Sequence, residues 1–216
     1  MINHAVITDL TGNIEDKIYE VTKFYLYMGL TPVIYTPFRI NAYEKMLQPL
    51  KTFGYTVARY PAGGFYYYPG RKNVDKYPIA KNIVRIRNAD QEIFNLFEGD
   101  EGSEYNVETI KKLLPHKEFY LWVLYEGSKP AATASVNLID RYGCSAVDHV
   151  YTSPEFRNKG YATTIVKHAV NMHNKESNNL IFLYAYKEQP IRIYKNIGFV
   201  KMTDRRLDFW NAWRMS

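Results

Sequence analysis

The hydrophobic pattern changes period once between Ala146 and Val170. From Ala146 to Thr152, Val147 and Tyr151 alternate with Ala146, Asp148, Val150 and Thr152. The run holds β-branched and aromatic residues, which predicts a strand. Pro154 follows, and a residue without an N–H cannot continue a ladder. From Gly160 onward, Ala162, Ile165, Val166, Ala169 and Val170 recur at the spacing of one helical stripe. Arg157-Asn158-Lys159-Gly160-Tyr161-Ala162 therefore lies where a strand turns into a helix.

The same reading divides the rest of the chain into two units, 1–78 and 79–216. In the first, Thr11 and Asn13 are candidate caps for a helix carrying Ile14, Ile18, Val21, Tyr25 and Met28, with Gly29 at its end. Pro32 to Thr36 predicts a strand, Tyr43 to Leu50 a helix stopped by Gly54, and Tyr55 to Tyr60 a second strand. The stretch 61–80 is punctuated by Gly and Pro and is the candidate linker. Its Tyr66, Tyr67 and Tyr68 suit a strand edge or packing surface better than an acceptor pocket.

The second unit opens with a strand at Ile83 to Arg87 and a helix capped by Asn88 that runs to about Phe97. A helix capped by Asn106 follows, with Val107, Ile110, Leu113 and Leu114 inward. Phe119 to Tyr125 and Ala131 to Ile139 are two strands joined by a turn at Glu126-Gly127-Ser128-Lys129. Leu180 to Tyr186 is a strand and Gln189 to Asn196 a short helix. The order strand, helix, Gly-aromatic, strand occurs in both units, at Gly54-Tyr55 and at Gly198-Phe199, so the first unit reads as a truncated copy of the second half of the other.

Composition narrows the function classes. The chain has 216 residues, 46% hydrophobic and 23% charged, an ordinary soluble balance. The net charge of +6 is spread along the chain rather than gathered in a run, so nucleic acid is not the expected partner. A nucleic-acid binder would show strongly salt-dependent affinity. Cys144 is the single cysteine, which excludes an intrachain disulfide and suits a reducing, cytoplasmic setting. No signal peptide and no membrane span are expected from the hydropathy pattern.

The turn at 157–162 has a chemistry of its own. A helix start presents unpaired N–H groups and the positive end of the macrodipole, which attract anions. Gly160 and Ala162 leave room beside the backbone, and Arg157 and Lys159 add positive charge. These features suit a pyrophosphate.

The stretch Val150-Tyr151-Thr152-Ser153-Pro154-Glu155-Phe156-Arg157-Asn158-Lys159-Gly160-Tyr161-Ala162 resembles the acetyl-coenzyme A signature of the GNAT superfamily of N-acetyltransferases. Ile193-Tyr194-Lys195-Asn196-Ile197-Gly198-Phe199 resembles that family's Tyr-x-x-x-Gly-Phe ending. The resemblance covers about residues 80–216. It implies an α/β (α+β) fold with a mixed, mostly antiparallel sheet flanked by helices, here extended by the smaller N-terminal unit. It implies direct transfer of an acetyl group from acetyl-CoA to a primary amine of a small molecule or a peptide, with no metal. The other function class it allows is a non-catalytic module of the same fold that binds an acyl-CoA or a protein partner.

Site residues follow from the resemblance. Backbone groups from Asn158 to Ala162, with Arg157, Thr152 and Tyr161, are expected to hold acetyl-CoA. The N–H of Val150 or Tyr151 is expected to stabilise the developing oxyanion. Tyr194 is the candidate acid for the departing thiolate, and Asp148 the candidate base, with burial on a central strand raising its pKa. His149 ranks below, on the opposite face, and Cys144 is expected to be structural. Gln189 stands near the place where many family members carry an Asn that contacts the pantetheine arm. The four carboxylates in 98–104 form a candidate acidic edge for a cationic acceptor, with a solvated loop as the plainer reading. The first unit is expected to extend the sheet, shape the acceptor site or make a homodimer, and not to hold coenzyme.

Overall fold

The computed structural model describes residues 4–35, 41–60, 63–70, 82–98, 103–203 and 210–215, with the backbone alone at 103–105. The first elements in chain order are β1 (Ala5–Val6), α1 (Ile14–Tyr27), β2 (Val33–Tyr35), α2 (Ala42–Thr52), β3 (Thr56–Arg59) and β4 (Gly64–Tyr67). Then come β5 (Ile83–Ile86), α3 (Gln91–Asn95), α4 (Ser103–Leu113), β6 (Phe119–Glu126), β7 (Lys129–Ile139) and β8 (Cys144–Thr152). The last are α5 (Tyr161–Glu176), β9 (Leu180–Ala185), α6 (Glu188–Ile197), β10 (Val200–Lys201) and β11 (Trp210–Trp213). Contacts divide the chain into 1–64 with 202–216, and 65–201, in place of the expected 1–78 and 79–216.

The smaller unit is built on a sheet of order β1-β2-β11-β3, in which β11 runs antiparallel to both β2 and β3. Ile18 of α1 and Met46 and Leu50 of α2 bury against Ile34 and Trp210. Asn13 caps α1, its side chain accepting the Glu15 N–H at 3.0 Å.

The larger unit carries a seven-stranded sheet of order β10-β4-β9-β8-β7-β6-β5. β5 to β8 form an antiparallel meander, and β9 returns parallel to β8 after the crossover through α5. Two apolar clusters cover its faces. Ile165, Val166, Ala169 and Val170 of α5 pack with Val147, Ile181 and Leu183, and Tyr194 of α6 belongs to the same cluster. Ile93 and Phe94 of α3 and Ile110 of α4 pack on the other face with Phe119, Leu121, Val123 and Tyr151. Among the described residues no helix is long and apolar enough to cross a membrane.

Two caps differ from expectation. Asp90, not Asn88, caps the first helix of this unit, because its backbone is extended and its Oδ1 accepts the Ile93 N–H at 3.1 Å. Asn106 lies inside α4, which starts three residues earlier at Ser103. The candidate linker contains β4, which joins the larger sheet between β9 and β10. Tyr66 is buried in the α5 cluster, so the tyrosine run packs as the sequence suggests.

The two units share a local topology. In the smaller, β2 leads through α2 to β3, and β11 lies between β2 and β3. In the larger, β9 leads through α6 to β10, and β4 lies between them. Both helices end on a left-handed glycine, Gly54 (φ 77°) and Gly198 (φ 114°). The next N–H reaches back five residues in each case, Tyr55 to Leu50 and Phe199 to Tyr194. That is the paired closure of a Schellman cap, which only a residue tolerant of positive φ makes without strain.

Candidate active site

The site begins at an irregularity in β8. Thr133 of β7 pairs with Tyr151 and Ser135 pairs with Asp148, so His149 and Val150 together oppose Ala134. This is a β-bulge, and His149 adopts φ 48° within it. A buried non-glycine residue in that region is held by its surroundings. Thr133 Oγ1 donates to the His149 carbonyl at 2.8 Å, Ser135 Oγ lies 2.9 Å from His149 Nδ1, and the ring packs edge-on to Phe119. Asp148 Oδ1 accepts the His149 N–H at 2.8 Å. Burial pushes the His149 imidazole below its usual pKa, with the Asp148 charge opposing.

The bulge coincides with the end of strand pairing on the other side. The parallel register of β8 with β9 runs from Cys144 opposite Leu180 to Val147 opposite Leu183. Beyond it lies a cleft of about 290 Å³ lined by Val147, Asp148, Val150, Tyr184, Ala185 and Tyr194 among others. Asp148 is exposed at this cleft, so the buried carboxylate expected from the sequence is corrected: the parted strands leave it facing open space. Tyr194 is 7% exposed. Burial first, and the Asp148 carboxylate second, push its phenol far above the usual range, so it stays a neutral donor at any physiological pH. Of the two oxyanion candidates, Val150 lines the cleft and stands outside the ladder, whereas Tyr151 pairs with Thr133 and packs its ring 5.3 Å from Phe97.

At the far end of β8 the chain enters α5 through residues with alternating backbone sign. Arg157 is extended, Asn158 has φ 64° and Gly160 φ 79°. Turns of this kind turn successive N–H groups toward one point and make anion-binding concavities. Gly160 is the N-cap and gives no side-chain hydrogen bond, and the first turn of α5 carries no acidic residue. The N–H groups of Tyr161 and Ala162 therefore open the helix without an acceptor inside it. A Cβ on Gly160 would meet nothing within 4 Å, so the glycine answers to its φ and to what approaches from outside.

The charged side chains here are partly engaged. Arg157 Nε donates to the Thr152 carbonyl at 3.2 Å. Lys159 Nζ lies 3.9 Å from Glu126 Oε1 and 5.0 Å from the Phe156 ring. The Tyr161 hydroxyl donates to Glu126. Thr152 Oγ1 is buried without a hydrogen-bond partner. It shares a strand face with Val150, between the loop and the cleft. An open helix start, an unsatisfied hydroxyl and two parted strands in line fit an extended ligand with a phosphate at one end, and acetyl-CoA has that form.

Other candidates fall apart from this line. Gln189 is exposed and is not among the described residues lining the cleft, where Lys187 and Pro190 stand instead. Cys144 is a half-buried free thiol at the opposite end of β8. Of the acidic edge at 98–104, residues 99–102 and the side chains of Ser103 and Glu104 lie outside the described residues. Sequence reasoning missed Tyr184, Tyr186 and Glu126. The aromatic residues at every second position of 182–186 were the available signal for the first two.

A family model described as the Acetyltransferase (GNAT) family matches residues 84–199. Among solved structures, the chain is similar to a GCN5-related N-acetyltransferase from Kribbella flavida, at 16% identity and a TM-score of 0.63, over 98% of this chain and 78% of that one. A functionally unknown conserved protein from Staphylococcus epidermidis ATCC 12228 is similar at 14% identity and a TM-score of 0.65, over 98% and 83%. An acetyltransferase from the GNAT family of Colwellia psychrerythraea is similar at 12% identity and a TM-score of 0.57, over 94% and 75%. At these identities the likeness is one of fold. No curated protein matches the chain.

Proposed function

Because the chain belongs to the GNAT family of acetyltransferases, we propose that it moves an acetyl group from acetyl-CoA to a primary amine by direct transfer. The observation that carries the proposal is the cleft between β8 and β9, with Tyr194 and Asp148 both on its lining and the open start of α5 at the end of the same strand. Acetyl-CoA supplies an acetyl group on a thioester: the C–N bond forms as the C–S bond breaks, and an ammonium acceptor loses two protons, one passed through Asp148 to solvent before attack and one on bond formation that balances the proton gained by the departing sulfur.

The residues divide the work. Backbone N–H groups from Asn158 to Ala162 bind phosphate oxygens, helped by the charges of Arg157 and Lys159. Thr152 Oγ1 offers a hydroxyl along the way. Val150, which lines the cleft, offers its N–H to a carbonyl oxygen that gains charge. Asp148 takes a proton from an ammonium group, directly or through water, since an amine of pKa about 10 is mostly protonated at neutral pH. Tyr194 holds its proton at Oη for the leaving group. The amine acceptor is a small molecule or a peptide, and a cytoplasmic setting suits both.

The test is thiol release from acetyl-CoA against a panel of primary amines. Release that depends on amine, and acetylated amine identified by mass, support transfer. Coenzyme that binds without thiol release to any amine supports the non-catalytic module instead.

A further inference from the structure

The sheet face turned away from α5 bears on what the acceptor is. In the parallel pair, Ala146 stands opposite Phe182 and Val147 opposite Leu183. Val147 and Leu183 bury against α5. By the two-residue period of a strand, Ala146, Asp148, Phe182 and Tyr184 point to the other face. Phe65 of β4 joins them, its ring 5.8 Å from Phe182 and 5.5 Å from Tyr184. Tyr186 extends the row, nearly parallel to Tyr184 at 6.1 Å. Tyr184 and Tyr186 line the cleft together with Asp148, and Tyr186 is 46% exposed.

We propose that the acceptor is a primary amine carried on an aromatic body, its ammonium drawn to Asp148 and its ring packed against Tyr184 and Tyr186, the two members of the row that line the cleft. This deepens the transfer reading above and rests on it. Two observations favour this class. Asp148 is the one carboxylate among the described residues lining the cleft, which suits a single positive charge rather than a polyamine. The face of Tyr186 already takes a cation, since Lys187 Nζ lies 5.7 Å from its centroid. Ring faces of this kind attract both cations and the edges of other rings. A polyanionic acceptor would meet the Asp148 carboxylate, and an aliphatic amine would gain no ring contact from Tyr184 and Tyr186.

The test compares 2-phenylethylamine with 2-cyclohexylethylamine, which matches its length and charge but has no π face, and with spermidine. Two readings are taken: amine binding to the protein without coenzyme, by ligand-observed NMR, and thiol release with acetyl-CoA. The expected result is a preference of about tenfold in kcat/KM for the aryl amine over both others, falling to about twofold in Tyr186→Leu and kept in Tyr186→Phe. Tyr184→Leu serves as the second variant. Equal turnover of the three amines, a preference for spermidine, or an aryl preference that survives both Leu variants overturns the aromatic acceptor while leaving transfer intact. Aryl-selective binding lost in Tyr186→Leu, with no thiol release from any amine, upholds the aromatic site and removes the transfer reading. Absence of both binding and release overturns both.

Discussion

Tyr194 and Asp148 meet at one cleft from different elements, and each lends itself to a substitution that spares the backbone. Tyr194→Phe keeps the ring against Phe199 at 6.1 Å and removes only the hydroxyl. The expected outcome is a fall of about 10²-fold in kcat with coenzyme affinity unchanged, the scale of a lost general acid. Asp148→Asn keeps an acceptor for the His149 N–H and so keeps the bulge. It is expected to lower kcat/KM by about 10²-fold at neutral pH, with the loss shrinking at alkaline pH where the amine is already neutral. A full-rate variant at either position removes that residue from the chemistry.

The buried His149 and His173 and the half-buried His168 give a stability prediction at the same scale. Burial lowers the pKa of His149, His168 and His173, against the charge of Asp148 in the first case and the Asn174 contact and Glu176 in the third. In the second, Lys175 lowers it further. Unfolded histidine titrates near 6.5, so below that pH the unfolded chain binds protons that the folded chain refuses. Stability is therefore fully present above about pH 6.5 and falls as pH drops toward the folded values. Thermal midpoints measured from pH 7.5 to 5 should decline, and a flat profile would contradict the burial of these rings.

At the scale of elements, the loop into α5 is where local pattern and site coincide. Glu126 at the β6–β7 turn holds both Lys159 and Tyr161, which places an internal carboxylate beside the proposed anion site. Glu126→Gln is expected to tighten acetyl-CoA binding by about threefold at low salt, with the gain fading as ionic strength rises. Weaker binding in this variant would mean that Glu126 orients Lys159 rather than competing for it.

The same elements show what a sequence can and cannot reveal. The strand before the loop and the helix after it were legible, because a change from period two to period 3.6 is written in neighbouring residues. The bulge at His149 was not, because its positive φ is imposed by Thr133, Ser135 and Phe119, which lie at least fourteen residues away. Asp148 was expected buried for the same reason: nothing local tells that β8 and β9 stop pairing after Val147. β4 and β11, four residues each, owe their existence to distant partners, and no local periodicity marks so short a strand.

At the scale of the whole molecule, the repeated topology supports a proposal about the smaller unit. In each half a strand, a helix closed by a left-handed glycine and a second strand admit a third strand between them. We read 1–64 with 202–216 as a truncated copy of the second half of the larger unit, without a phosphate loop of its own. One acetyl-CoA per chain is the expected stoichiometry. Gly54→Ala is expected to lower stability by about 1 kcal/mol through its positive φ, with coenzyme affinity retained.

The central claim is that the start of α5 and the cleft beyond it hold acetyl-CoA. Calorimetric titration of the wild type and of Gly160→Glu tests it most directly, because the substitution sets a side chain and a negative charge at the helix start without a clash inside the chain, at a backbone cost of about 1 kcal/mol from the positive φ. The account predicts binding at one site per chain in the wild type and its loss in the variant, with the fold retained by circular dichroism. Wild-type protein that binds no acetyl-CoA, or a variant that binds it equally well, would contradict the account.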